Sequence, residues 1–296
     1  MTRLRPFLPF LAVGIGIAVF SMMDAVMKSA SLQAGAYNAV LWRSGIGSLI
    51  MLPVWRLAGG RWPARAVLKV HALRSVVVAG MATLFFWGLV RMPMAEAMAL
   101  SFIAPLIALY LAAVLLGERI RSRAVVGSVL GLAGVCVIAA GQFGDGRADA
   151  SPWGLAAVLA SAVLYAWNLI LQRQQALLAA PTEVAFFQHF FVGLALLVAA
   201  PWLAQVPSRA AFGDIAGGAA LATASLMFLS WGYARAEAQA LVPIEYTGFV
   251  WAMLFGWLWF AEPVTATTLG GALLIVSGCW IAVRKASERQ IPASAP

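Results

Sequence analysis

Apolar residues run through this chain in long stretches, punctuated by proline, glycine and clustered charge. The stretches lack strand-type alternation, and they exceed the ~10-residue segments of an outer-membrane barrel. A helix that crosses a bilayer needs ~20 mostly apolar residues. Length and punctuation together predict ten spans, at about 7–28, 36–57, 72–91, 94–116, 122–141, 152–173, 182–203, 213–234, 238–260 and 266–284. The loops are short. The longest joins the second and third spans, and a polar one at Gln142–Ser151 joins the fifth and sixth.

Composition removes the alternatives. Of 296 residues, 63% are hydrophobic and 10% are charged, against about 25% charged in an ordinary soluble domain. So few charges cannot cover a water-facing surface, which excludes a soluble globular protein, a disordered chain and a disulfide-stapled scaffold. The apolar supply matches ten spans and leaves no room for a soluble catalytic domain. Cys136 and Cys279 both fall in apolar segments and are expected to be buried free thiols; no metal motif and no cofactor is implied. Arg3 and Arg5 precede the first apolar run, and Ala34-Gly35-Ala36 has the small residues of a cleavage site. The run is too long for a signal-peptide core and other spans follow, so a retained first span is expected.

The net charge of +9 would suggest nucleic acid in a soluble protein. Here its distribution points to lipid and excludes a nucleic-acid partner. With the N-terminus in the cytoplasm, 15 Lys and Arg fall inside, among them Arg74, and Lys28, Arg91, Arg147 and Arg209 fall outside. Arg43 remains within a span, and His71 reads as a loop residue. This positive-inside bias predicts a multi-pass protein of the bacterial cytoplasmic (inner) membrane with both termini cytoplasmic.

The chain also repeats. A gapless shift of 144 residues brings Trp87-Gly88 onto Trp231-Gly232, Arg91 onto Arg235, Glu118 onto Glu262, Gly127 onto Gly271 and Gly134 onto Gly278. Trp, Arg and Glu are rare enough here for their coincidence to count. A repeat of five spans is odd-numbered, so the two halves, 1–147 and 148–296, must insert in opposite senses. The predicted fold class is therefore an all-α integral membrane protein with ten transmembrane helices as two inverted five-helix repeats.

Ala95-Glu96-Ala97, Ser101-Phe102-Ile103-Ala104-Pro105-Leu106, Leu115-Leu116-Gly117-Glu118-Arg119, Gly127 and Gly131-Leu132-Ala133-Gly134-Val135 resemble the EamA repeat of the drug/metabolite transporter superfamily. The second half follows it more loosely, through Ala261-Glu262-Pro263, Gly270-Gly271 and Ser277-Gly278. It departs from it at Phe249, which stands where the first half has Pro105. The resemblance covers essentially the whole chain and is closest to the aromatic amino-acid exporters. It implies alternating access and a central cavity lined mainly by spans 1, 3, 4, 6, 8 and 9.

Polar groups in hydrocarbon are costly, ~2.5–3.5 kcal/mol for a charge at a helix centre on insertion scales, so they are the candidates for a site. The sixth span carries Ser161, Tyr165, Asn168 and Gln172, all on one helical face. The first carries Ser21, Asp24 and Lys28, which the same shift superposes on Tyr165, Asn168 and Gln172. Both stripes are expected to face the cavity, with Lys28 snorkelling to the outer surface. Arg43 cannot lose its charge, and Asp24 at similar depth is its expected partner, in a structural pair or a site for a substrate carboxylate. Glu245, two residues after Pro243, suits a substrate amine or a proton, or is satisfied by Gln188 or His189. His189 reads as a hydrogen-bonded structural residue. Of many aromatics, Tyr165, Tyr246 and Trp251 are taken as substrate-binding walls. Gly127, Gly131, Gly134, Gly270, Gly271 and Gly278 read as close helix contacts, and Glu118 and Glu262 as caps.

No hydrolase motif and no P-loop occurs, so neither an enzyme nor an ATP-driven pump is expected. An intramembrane enzyme would need clustered His, Asp or Ser, and the chain has 2 His. The expected function is secondary export of a small-molecule substrate, an amino acid with an aromatic or other bulky apolar side chain. A proton-coupled efflux transporter for cationic drugs is the alternative, and a monomer is the working expectation for its assembly.

Overall fold

The computed structural model describes residues 8–104, 106–108, 110–111, 122–144, 151–235, 244 and 247–283. Among them every regular element is a helix: α1 (Leu8–Ala34), α2 (Ala36–Leu57), α3 (Arg65–Leu89), α4 (Met94–Ser101), α5 (Ser122–Gly144), α6 (Pro152–Leu178), α7 (Pro181–Leu197), α8 (Ala200–Leu203), α9 (Arg209–Tyr233), α10 (Thr247–Phe260) and α11 (Ala266–Val283). Four of the described helices, α1, α3, α6 and α9, contain stretches long and apolar enough to cross a membrane. Hydrocarbon offers backbone groups no partners, so the chain satisfies them within its own helices. The helix starts use local signals. Pro152 follows Ser151, whose hydroxyl accepts from Gly154 N at 3.1 Å, and Ser208 caps α9 through Ala211 N. Gly35, at φ +79°, makes the tight reversal between α1 and α2 that a side chain would strain.

Three predicted spans differ in detail. The third begins earlier, at Arg65, so His71 belongs to a helix and not to a loop, and Arg74 stands well inside that helix. The fourth breaks after Ser101, where Phe102 N and Ile103 N turn back to the carbonyls of Ala99 and Leu100 in a tighter i−3 pattern. The seventh ends at Leu197, and Pro201 opens the short α8.

The dominant helix contacts are α5 with α11, α1 with α9, α3 with α6 and α2 with α7. Each pair joins the first half to the second. Under the 144-residue shift, α1–α9 exchanges with α6–α3, whereas α2–α7 and α5–α11 map onto themselves. A two-fold relation between halves would produce this pairing. The repeated residues play repeated parts. Arg91 lies over the Trp87 ring at 3.5 Å and Arg235 over Trp231 at 4.2 Å, each also donating to that tryptophan's carbonyl. A basic side chain at a helix C-terminus meets the carbonyls left without intrahelical donors.

Glycine sets the α5–α11 contact. A Cβ on Gly134 would meet the Gly271 carbonyl, one on Gly271 would meet Gly134's, and one on Gly278 would meet Gly127's. Backbone cannot yield as a side-chain tip can. Gly134→Val is therefore expected to separate the two helices and lower the melting temperature of the detergent-solubilised protein. Overpacking costs about 1–3 kcal/mol or more, so an unchanged melting curve would rule out this close approach.

Cys136 is exposed on α5 and not buried, because the glycine face of that helix, and not the cysteine face, meets α11. The side chain of Cys279 lies outside the described residues.

Candidate transport site

A cavity of about 180 Å³ lies at the centre of the bundle, walled by α1, α2, α3, α4, α6, α7, α9 and α10. The polar stripe of α1 reaches it through Ser21 and Asp24, and that of α6 through Ser161, Tyr165, Asn168 and Gln172. Helical spacing aims these groups inward while the apolar remainder meets neighbours or lipid. Trp251 does not line the cavity. It packs beside Val13 and Ile17 and stacks on Phe255 at 6.0 Å. Glu245 and Tyr246, and with them Pro243, lie outside the described residues.

Asp24 is 1% exposed, and neither of its carboxylate oxygens has a hydrogen-bond partner among the described residues. The expected Asp24–Arg43 contact does not form, although Arg43 is close enough to act on Asp24 electrostatically. Arg43 instead lies over the Phe86 ring at 5.6 Å, with Nη1 at 3.3 Å from the Met23 sulfur and Nε unpartnered. Sulfur is a weak acceptor, so the guanidinium retains most of its donor capacity.

Arg74 was not legible as a site residue, because near the start of the third span it counts as one more of the basic residues gathered on the inner side. The structure buries it on α3, where its Nε donates to Asn168 Oδ1 at 2.9 Å and its two terminal nitrogens donate to Gln172 and Gln175. Three amide oxygens hold it with no carboxylate. The equivalence of the halves explains why Asp24 is left alone. Asn168 corresponds to Asp24, and the position corresponding to Arg74 is Gly218, which brings no cation to α1. The signal available in the sequence was the spacing Asn168, Gln172, Gln175, three amides on one helical face with no acid among them.

Sequence reasoning also missed the walls given by α2 and α7. Arg43 and Ser44 come from α2, and Gln188, His189 and Val192 from α7. His189 is hydrogen-bonded to Thr223 at 3.1 Å, and Gly47 leaves room for its ring. Gln188 Oε1 is buried without a partner. Much of the remaining surface is methionine and phenylalanine, including Met23, Met81, Met98, Phe20, Phe85 and Phe102. Thioethers and rings adapt to apolar ligands of varied shape. Ser161, though it lines the cavity, spends its hydroxyl on the Met81 carbonyl at 2.9 Å.

Polar contacts join the halves on both sides of the cavity. Near the end of α1, Lys28 donates to the Met92 carbonyl at 2.9 Å and pairs with Glu262, whose other oxygen accepts from Met94 N at 2.8 Å. Lys28 thus does not snorkel outward, since an acid and a carbonyl meet it inside the bundle. At the opposite end, His71 faces Glu183 at 3.3 Å and also meets Gln175.

These features fit a multi-pass membrane transporter. The chain belongs to the EamA-like transporter family, whose model matches it twice, over residues 8–140 and 152–284; the two-repeat, ten-helix membrane fold of that family is the fold of this protein. It is 29% identical to the pseudopaline exporter of Pseudomonas aeruginosa, with 92% of this chain and 96% of that one covered. It is 30% identical to a probable terminal-alkyne amino-acid exporter of Streptantibioticus cattleyicolor, over 71% of each chain. The S-adenosylmethionine uptake transporter of Rickettsia felis is 24% identical, over 89% of this chain and 90% of that one. A solved crystal structure shares the fold with a TM-score of 0.63 at 22% identity, covering 93% of this chain and 97% of that one.

Proposed function

We propose that this protein exports amino-acid-type zwitterions across the bacterial cytoplasmic membrane by alternating access, with both termini cytoplasmic. The observation that carries the reading is the presence, in one largely apolar cavity, of a carboxylate without a hydrogen-bond partner among the described residues, Asp24, and an under-used guanidinium, Arg43. A substrate ammonium meets Asp24, its carboxylate meets Arg43, and a bulky apolar side chain meets the methionine and phenylalanine walls. The exporters among its relatives support the direction of transport, and the Lys and Arg bias supports the orientation. Opening toward one side requires release of the Lys28–Glu262 contact, and opening toward the other requires release of the His71–Glu183 contact. Efflux of cations is the second reading, since Asp24 alone would suit a cation; the two arginines on the same cavity disfavour it.

The test is counterflow of labelled phenylalanine in proteoliposomes, with methionine, threonine and a lipophilic cation as competitors, with and without a pH gradient. Saturable exchange inhibited by the amino acids is the expected result. A pH-independent rate would argue against obligatory proton coupling. Folded protein that moves the cation and not the amino acids would overturn the proposal.

A further inference from the structure

The connection between α2 and α3 gathers basic side chains at one edge of the bundle. Arg56 lies in the last turn of α2 and Arg61 in the loop; Arg65 and Lys69, four residues apart on one helical face, open α3. All four are exposed. No Asp or Glu occurs between Asp24 and Glu96, so the segment has no acid of its own to answer them. Among the described residues none of the four is in an ion pair.

The loop is folded closely onto the bundle. Gly59 takes φ +80°, Gly60 N donates to the Trp55 carbonyl at 2.9 Å, and a Cβ on Gly60 would collide with the Trp55 indole. Arg56 lies over that indole at 4.8 Å. Trp62 meets Trp55 at 6.5 Å and Phe187 at 5.3 Å, and Phe187 stacks on His71 at 5.1 Å. The backbone that carries the charges is thus pinned in place. Apolar side chains stand among them: Leu57 is 88% exposed and Trp62 59%. The membrane-crossing stretch of α3 begins at Arg65 itself. Cations beside an exposed leucine and tryptophan, at the end of a span, match the boundary between hydrocarbon and headgroups.

We infer that this loop is a binding site for an acidic phospholipid. The phosphate meets Arg56, Arg61, Arg65 and Lys69, and the acyl chains pass Leu57 and Trp62. A soluble anion would use the charges but leave the apolar neighbours in water, which favours lipid as the occupant. Binding to the folded chain raises its stability by mass action, and Trp62 and Phe187 carry the constraint toward the His71–Glu183 contact. The inference does not depend on what the cavity carries.

The test is native mass spectrometry of the purified full chain in a neutral detergent, with phosphatidylglycerol or phosphatidylcholine of matched acyl chains added. Melting temperatures are measured in parallel. Phosphatidylglycerol is expected to be retained about tenfold more strongly and to raise the melting temperature more. Replacing Arg56, Arg61, Arg65 and Lys69 together by Gln is expected to remove most of both differences. Arg209→Gln, which neutralises an exposed cation at the start of α9, is expected to leave them unchanged. Should the fourfold variant fail to fold, Arg61→Gln combined with Lys69→Gln is expected to lower the preference about threefold. Sodium phosphate, against chloride at equal ionic strength, is not expected to displace the lipid; displacement would make the patch a site for soluble anions and overturn the lipid assignment. Equal retention of the two lipids by the wild type, or an undiminished preference in the folded variants, would overturn the site.

Discussion

Asp24→Asn is expected to slow phenylalanine counterflow at low substrate concentration by about 10- to 100-fold while leaving the protein folded. A hydrogen bond to a charged group contributes about 1.5–3 kcal/mol, and each 1.4 kcal/mol is a factor of ten. Among the described residues the carboxylate has no hydrogen-bond partner to lose, so the substitution breaks no hydrogen bond there and gives up only its attraction to Arg43. It removes a buried charge at the cost of that attraction, and the melting temperature should change little. Transport and stability thus move differently, which separates a binding role from a structural one. Unchanged counterflow in Asp24→Asn would remove the residue from the site.

Lys28→Met is expected to destabilise the protein by about 3 kcal/mol, the lower part of the range for breaking a buried pair by removing one partner. The Lys28 and Glu262 side chains are 5% and 17% exposed, so the acid left behind is poorly solvated. Glu262 keeps its bond from Met94 N, whereas the Met92 carbonyl loses its donor. Adding Glu262→Gln removes the stranded charge, and the double variant should be less destabilised than the single effects summed. Chemical denaturation in detergent measures both. Simple additivity would show that the two side chains do not stabilise each other, and the contact would then not be a latch between the halves.

Membrane class, helical fold and a two-part plan were legible along the chain, because hydrocarbon imposes its demands locally. A span must be apolar for its whole length, its backbone must bond to itself, and basic residues must gather on one side. The 144-residue shift was legible for a related reason. Trp87 and Arg91, like Trp231 and Arg235, interact within one helix end, so their spacing survives in the sequence. The polar faces of α1 and α6 were legible too, because helical periodicity alone puts Ser21 with Asp24, and Ser161 with Tyr165, Asn168 and Gln172.

What partners those groups find was decided only in three dimensions. Asp24 and Arg43 looked like a pair because their depths agree, yet depth says nothing about rotation around each helix, and Arg43 turned to Phe86 and Met23. Lys28 looked able to reach water, until the chain folded Met92 and Glu262 over it. His71 looked like a loop residue, and Arg74 like one more basic residue at the inner end of a span, because charge ends an apolar run in one dimension. Burial beside three amides, or beside an amide and an acid, removes that penalty, and those partners lie on α6 and α7, about a hundred positions away. Sequence by itself determined what each helix can tolerate on its faces. The tertiary structure decided which buried charges meet partners and which, among the described residues, do not, because that depends on contacts between halves that no local pattern encodes.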